Sequence, residues 1–138
     1  MKHMLMGMVA CCIFFMACNN DPKYDINSND LYEKEKASVE NMEKKDPVRF
    51  LSVAGSNKKN LLGQTVIKGT VFNKAKLVHF KDIQIKLFFY SQTGTLLEED
   101  IDTVYETISP GGSTAFKSKY FAPKGTDSVA MKIITAKY

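Results

Sequence analysis

The residue with the clearest chemistry is Cys18, whose thiol lies at the end of a short apolar stretch near the start of the chain. Residues 1–3 carry positive charge, residues 4–16 are apolar, and small Ala17 precedes the cysteine, which is typical of a cleaved secretory signal. Two or three acyl chains on such a cysteine give a stable membrane anchor. We therefore predict a signal peptide over residues 1–17 and lipid attachment at Cys18, as in bacterial lipoproteins that carry palmitate.

The residue after Cys18 bears on location. It is Asn19 and not Asp, which by analogy with other diderm lipoproteins favours the outer membrane over retention in the inner membrane. Asp21 is only a weak signal for export to the surface, so a periplasmic and a surface-facing position both stay open. The expected location is the cell envelope, with the membrane bound through Cys18.

Histidine and cysteine chemistry is scarce in the rest of the chain. Cys11 and Cys12 would leave with the signal, and Cys18 would be consumed by lipid, so no thiol nucleophile or disulfide remains. His79 is the one histidine after the signal, and no Gly-x-Ser-x-Gly elbow accompanies it. We predict that His79 is a surface or edge residue, that the protein binds no cofactor, and that it is not an enzyme.

One acidic cluster suggests a cation site, but its spacing argues against one. The cluster comprises Glu98, Glu99, Asp100 and Asp102, three of which point the same way in a strand. Carboxylates about 6 to 7 Å apart along one face do not wrap an ion, and no calcium-loop pattern is present. We predict an edge strand protected by charge, and no metal site.

Two aromatic residues give the best candidate for a binding face. Phe88 and Tyr90 alternate with the predicted core residues of the same strand. They are therefore expected on the face opposite to the core, together with Gln84 and Lys86. Exposed aromatic rings beside polar groups are typical of a face that stacks on sugars or binds a protein. The alternative is that a helix or loop covers these four residues.

The elements that would position these residues change at Pro47. A polar stalk follows Cys18, and a helix with a thin apolar stripe is expected at about residues 30–45. We expect this helix to be a spacer or a loosely docked arm. The predicted organisation is a signal peptide (1–17), a lipidated tether with the helix (18–46) and one β-sandwich domain (47–138).

From Pro47 onward the hydrophobic period is two, which predicts an all-β domain. Six or seven short strands over this length are typical of a two-sheet sandwich of immunoglobulin-like type. We predict strands near 48–54, 62–73, 78–91, 95–108, 113–122 and 127–137, with a split of the second strand at Gly69 as an alternative. Turns are predicted at 55–57, 73–75, 92–94, 110–112 and 123–125. The predicted core comprises Ile67, Val71, Ile83, Ile85, Leu87, Phe89, Phe116, Tyr120, Val129, Met131 and Ile133.

The charge distribution separates the tether from the domain. Residues 21–46 hold 8 acidic and 5 basic side chains, whereas residues 47–138 hold 13 basic and 7 acidic ones, so the domain is basic. No aromatic or glycine motif for nucleic acid accompanies these lysines, and we predict no nucleic-acid partner. Anionic lipid head groups, lipopolysaccharide and acidic polymers stay open as polyanions, beside lysines that serve only solubility.

Several short segments carry a resemblance to a known family. They include Gly69-Thr70-Val71-Phe72-Asn73, Lys81-Asp82-Ile83, Phe89-Tyr90-Ser91-Gln92-Thr93-Gly94 and Pro110-Gly111-Gly112. Over about residues 33–138 the chain resembles small Bacteroidales envelope lipoproteins whose single domain is similar to the FxLYD type of immunoglobulin-like sandwich. The resemblance implies a fold and an envelope location, but it brings no catalytic residues.

The expected function is non-enzymatic binding or assembly with an envelope protein or a glycan. A second hypothesis is a carrier or sensor of a lipid-like or lipopolysaccharide ligand held between the sheets. Such a cleft would be lined by Phe80, Phe88 and Tyr90, with lysines at its mouth.

Overall fold

The computed structural model describes residues 28–138, and its regular elements are one long helix, one helical turn and six strands. They are α1 (Ser28–Lys45), α2 (Pro47–Phe50), β1 (Leu51–Lys59), β2 (Thr65–Asn73), β3 (Lys81–Ser91), β4 (Leu96–Val104), β5 (Ser113–Tyr120) and β6 (Thr126–Lys137). The predicted signal peptide and Cys18 lie outside the described residues. Within them, no helix is both long and apolar enough to cross a membrane.

The strands form two antiparallel three-stranded sheets, one ordered β1-β2-β5 and the other β4-β3-β6. The chain leaves the second sheet after β4, adds β5 to the first, and returns as β6 beside β3. Such crossovers are of the Greek-key kind found in immunoglobulin-like sandwiches. The predicted all-β sandwich, preceded by a helix, is confirmed.

The core lies between the two sheets and follows the predicted alternation. Ile67 and Val71 of β2 face the run Ile83, Ile85, Leu87 and Phe89 of β3, and all six are buried. Ile133 is buried as well, while four other predicted core residues are half-buried and pack against the cluster: Phe116, Tyr120, Val129 and Met131. Period-two patterning therefore identified the buried face of each central strand.

The first strand differs from the prediction. Pro47–Phe50 is a helical turn, and β1 runs from Leu51 to Lys59, straight through the predicted turn at 55–57. Gly55 is opposite Gly69 of β2, and a Cβ added at Gly55 would lie 2.3 Å from the Lys68 carbonyl oxygen. The glycine is therefore explained by close packing, and the turn signal was misleading.

The β1–β2 connection is consequently later than predicted. The turn comprises residues 60–64, and β2 begins at Thr65 and continues unsplit through Gly69. The Asn60 side-chain oxygen accepts from the N–H groups of Leu62 and Gln64, each at 2.9 Å. Gly63 takes the left-handed conformation, with φ of 77°. The predicted turns at 92–94, 110–112 and 123–125 fall between strands, and the one at 73–75 begins at the last residue of β2.

Candidate functional site

The predicted aromatic face lies on the outward side of the sheet β4-β3-β6. On β3, Phe88 and Tyr90 alternate with the buried Leu87 and Phe89, so both rings point away from the core. Both are half-buried and lie on the central strand, flanked on each side by an edge strand. The orientation inferred from the sequence is confirmed.

The neighbours across the strands extend this face. Tyr90 is opposite Leu96 of β4, and Phe88 is opposite Glu99, with exposed Ile101 one row further along. On the other side, Phe88 is opposite Ala130 of β6. Two aromatic rings thus lie beside two exposed aliphatic side chains, which makes a mixed apolar surface on the outward side of this sheet.

The polar members of the predicted set are arranged around these rings. The Lys86 ammonium forms a salt bridge with Glu99 and lies 5.4 Å from the centroid of the Phe88 ring. A cation over a ring face is attracted by its quadrupole, so Lys86 favours the observed position of the Phe88 ring. Gln84 lies one row beyond Lys86, between Thr103 and Thr135. The four predicted residues therefore share one face.

The helix docks elsewhere, at the end of the sandwich where β3 begins. The Glu43 carboxylate accepts hydrogen bonds from the backbone N–H groups of Lys76, Leu77 and Val78, at 2.6, 3.0 and 2.9 Å. Near the same end of the helix, the Lys44 ammonium lies 5.5 Å from the centroid of the Tyr138 ring. The first residue of β3, Lys81, is already seven residues from Phe88, and the backbone groups that bind Glu43 lie before it in the chain. The helix is therefore remote from Phe88 and Tyr90.

Glu43 is the residue that the sequence reasoning missed. Its side chain is only 1% exposed, so the last turn of α1 belongs to the packed unit and the helix is more than a loose arm. The first turns fit the prediction better, because Leu31 and Tyr32 are exposed. A signal existed: an acidic residue in the last turn opposes the helix dipole and calls for another reason to be there.

Asn73 completes the same corner. Its side-chain N–H₂ donates to the carbonyls of Val78 and Ile108 at 2.9 and 3.0 Å, and its oxygen accepts from the Ala75 N–H at 2.9 Å. The residue is buried, and these three bonds satisfy most of its capacity. Asn73 and Glu43 together fix the connection between β2 and β3.

The acidic strand is an edge strand, as predicted, but its carboxylates face an unexpected neighbour. Asp100 and Asp102 alternate with the outward Ile101, so they point toward the other sheet, where Ser118 donates a hydrogen bond to Asp102. Burial and the negative charges of Asp102 and Asp100 raise the pKa of Tyr120 to about 12. Inward-pointing charges on an edge strand oppose pairing with another chain.

His79 and the aromatic residues of the cleft hypothesis lie in different environments of the structure. His79 is exposed, and within residues 28–138 no three His, Cys, Asp or Glu side chains are grouped to hold a metal ion. Phe80 is fully buried in the core, whereas Phe88 and Tyr90 face outward. The three aromatic residues of the hypothetical cleft therefore do not line one cavity.

The fold and this face define a two-sheet β-sandwich with an apolar and aromatic surface on one central strand. Comparison of the chain with protein-family models, with curated proteins and with solved structures found no match to any of the three.

Proposed function

We propose that the protein is an outer-membrane lipoprotein of the cell envelope, anchored through Cys18, whose sandwich binds an envelope protein or a glycan without catalysing a reaction. The observation that carries this proposal is the outward pair Phe88 and Tyr90, which the helix leaves accessible. The apolar junction before Cys18 supports the anchor.

The shape of the face fits binding better than catalysis. Tyrosine and phenylalanine bring a large contact area with few rotatable bonds, and a tyrosine hydroxyl can also form hydrogen bonds with a polar ligand. Lys86 and Gln84 supply further polar groups at the border. A half-buried ring on a rigid central strand is already ordered, so little conformational entropy is lost on binding.

The binding test compares aromatic truncations on the two sheets. Tagged wild-type protein, Phe88→Ala/Tyr90→Ala and Phe72→Ala are used to capture ligands from solubilised envelope. Phe72 is a matched control because it is an exposed aromatic on the outward side of β2, the central strand of the other sheet. We expect capture by the wild type and Phe72→Ala only, at equal melting temperatures. Equal capture by all three proteins would remove the aromatic face from the proposal.

The anchor is tested separately by incorporation of labelled palmitate in cells. Cys18→Ser should abolish the label, while Cys11→Ser/Cys12→Ser should keep it, because those two thiols lie inside the apolar stretch. A labelled Cys18→Ser protein would contradict acylation at this residue and would leave the binding face untouched.

A further inference from the structure

Three apolar side chains project into solvent at one end of the sandwich, where the β1–β2 turn meets the end of β5. Leu61 is fully exposed, Leu62 is 79% exposed and Phe121 is 80% exposed. They belong to one end because Lys59 is opposite Thr65, and Thr65 is opposite Tyr120. We call residues 58–66, 89–97 and 118–128 the hairpin end.

The turn that carries the two leucines is held by hydrogen bonds and cannot easily fold them back. Asn60 accepts two backbone N–H bonds through its side chain, donates to the Gln64 side chain at 3.0 Å, and forms the backbone bond to Gln64 at 2.9 Å. A leucine side chain that stays in water does not contribute the favourable free energy of transfer into an apolar environment. A rigid turn that presents two leucines is therefore suited to an external apolar phase.

Lysines outnumber carboxylates within the hairpin end, which borders the carboxylate of Asp102 on β4 through its hydrogen bond from Ser118. The hairpin end contains four lysines and one carboxylate, Asp127, and none of the four lysines has an ion-pair partner among residues 28–138. They are Lys58, Lys59, Lys119 and Lys124. The positive field continues along the outward side of β1-β2-β5, where Lys68 lies directly opposite Lys117. Like charges facing each other across strands destabilise a sheet, so this arrangement favours an anionic partner.

We propose that the hairpin end is a second, non-covalent membrane contact, which inserts Leu61, Leu62 and Phe121 into an anionic phospholipid surface. The lysines then bind the lipid phosphates, since apolar side chains surrounded by lysines are the chemistry of interfacial membrane binding. The apolar groups protrude from two separate loops, which suits a deformable lipid interface. Although Tyr90 lies within residues 89–97, the proposed insertion uses the side chains of Leu61, Leu62 and Phe121 and not the Phe88 and Tyr90 rings, and so goes beyond the proposed binding face.

The test uses tryptophan as a local probe, because the chain contains none. Full-length Phe121→Trp is mixed with vesicles of phosphatidylglycerol that contain brominated lipid, and quenching of its emission is measured. Tyr105→Trp is the matched control, since Tyr105 is exposed but follows β4 at the opposite end of the sandwich. Each probe reports immersion of its own end, whatever attaches the chain to the vesicle.

We expect a blue shift and several-fold stronger quenching at position 121 than at position 105. Adding Leu61→Ser/Leu62→Ser should lower the quenching to the control level without a change in melting temperature. Lys58→Gln/Lys119→Gln, added salt, or phosphatidylcholine in place of phosphatidylglycerol should each weaken it.

Two results would overturn the proposal. Equal quenching at positions 121 and 105 would show that the hairpin end does not enter the lipid. A blue shift at position 121 that grows with protein concentration in the absence of vesicles, with no added quenching by lipid, would assign this end to contact between copies of the chain.

Discussion

The Glu43 contact offers the sharpest test of how the helix is joined to the sandwich. Replacing Glu43 by alanine removes the acceptor for three backbone N–H groups, of which the Val78 N–H is buried while those of Lys76 and Leu77 are part-buried. Water can reach the two part-buried donors, so the full penalty for an unsatisfied group, about 1 to 3 kcal/mol, applies mainly at Val78. The two part-buried donors lose a charge-assisted bond but regain a bond to water.

We therefore expect Glu43→Ala to lower the free energy of unfolding by about 2 to 4 kcal/mol. Glu43→Gln keeps one acceptor oxygen but turns an N–H₂ group toward a backbone donor, so a loss of about 1 to 3 kcal/mol is expected. Urea denaturation followed by circular dichroism measures both values. Hydrogen exchange at Leu77 and Val78 should quicken as well, because their N–H groups lose their acceptor.

Glu40→Ala is the matched control, since Glu40 lies one turn earlier and forms only a surface salt bridge with Lys44, at 2.6 Å. Surface ion pairs along a helix contribute little, so a much smaller change is expected. The reasoning would be refuted if Glu43→Ala and Glu40→Ala lost the same stability, or if exchange at Val78 were the same in both variants.

Three further outcomes follow from the packing. Gly69→Ala should cost about 1 to 3 kcal/mol in denaturant titrations, because its Cβ would lie 2.4 Å from the Phe116 ring, and Phe116→Leu should recover part of this loss in a double-mutant cycle. Tyr120 should titrate near pH 12 in the absorbance difference between wild type and Tyr120→Phe, and Asp102→Asn should lower that midpoint. The pKa of Tyr120 in the folded state is higher than the value of about 10 for a free tyrosine, so the folded state favours the neutral phenol. Its contribution to the free energy of unfolding is complete below pH 10 and is lost as the pH rises to about 12. A titration midpoint near 10 would contradict this prediction. Asn73→Leu should cost about 2 to 4 kcal/mol on thermal or chemical unfolding, because two carbonyls lose their donor, and a cost below about 1 kcal/mol would show that water replaces it.

The central strands were predictable because each carries a long alternating pattern. In β3 every second residue from Ile83 to Phe89 is apolar and buried, and this fixes the outward direction of Phe88 without any knowledge of the partner strands. The same parity placed Gln84 and Lys86 on the face of Phe88. What that face binds is not set by parity, which is why the partner is a proposal.

The misplaced turn shows where local reasoning fails. Glycine is typical of turns, yet Gly55 lies within a strand. The space that a side chain at this position would need is occupied by β6, because the Met131 methyl group would lie 2.8 Å from an added Cβ. Contacts between residues 76 positions apart leave no trace in a short window of sequence. The real turn at Asn60 to Gln64 has a clear Asn and Gly signature, but the two leucines between them resemble the start of a strand.

The docking partner of the helix was not predictable for a related reason, because the acidic residue in its last turn does not indicate which groups it contacts. Glu43 finds its donors 33 to 35 residues later, on backbone groups whose availability depends on the Asn73 corner. The apolar stripe, which is the usual guide to docking, is thin here and points to weak attachment. A single buried carboxylate holds the helix where hydrophobic contact would not.

The position of that carboxylate also determines how the molecule responds to a mechanical pull. The chain enters the sandwich through β1, an edge strand, and a load on an edge strand alone would peel it from β2 one hydrogen bond at a time. Glu43 accepts hydrogen bonds from the segment between β2 and β3, which are the central strands of the two sheets. Tension applied through α1 is therefore shared by both sheets before it reaches the β1 ladder, and the domain resists being unravelled from its N-terminal side.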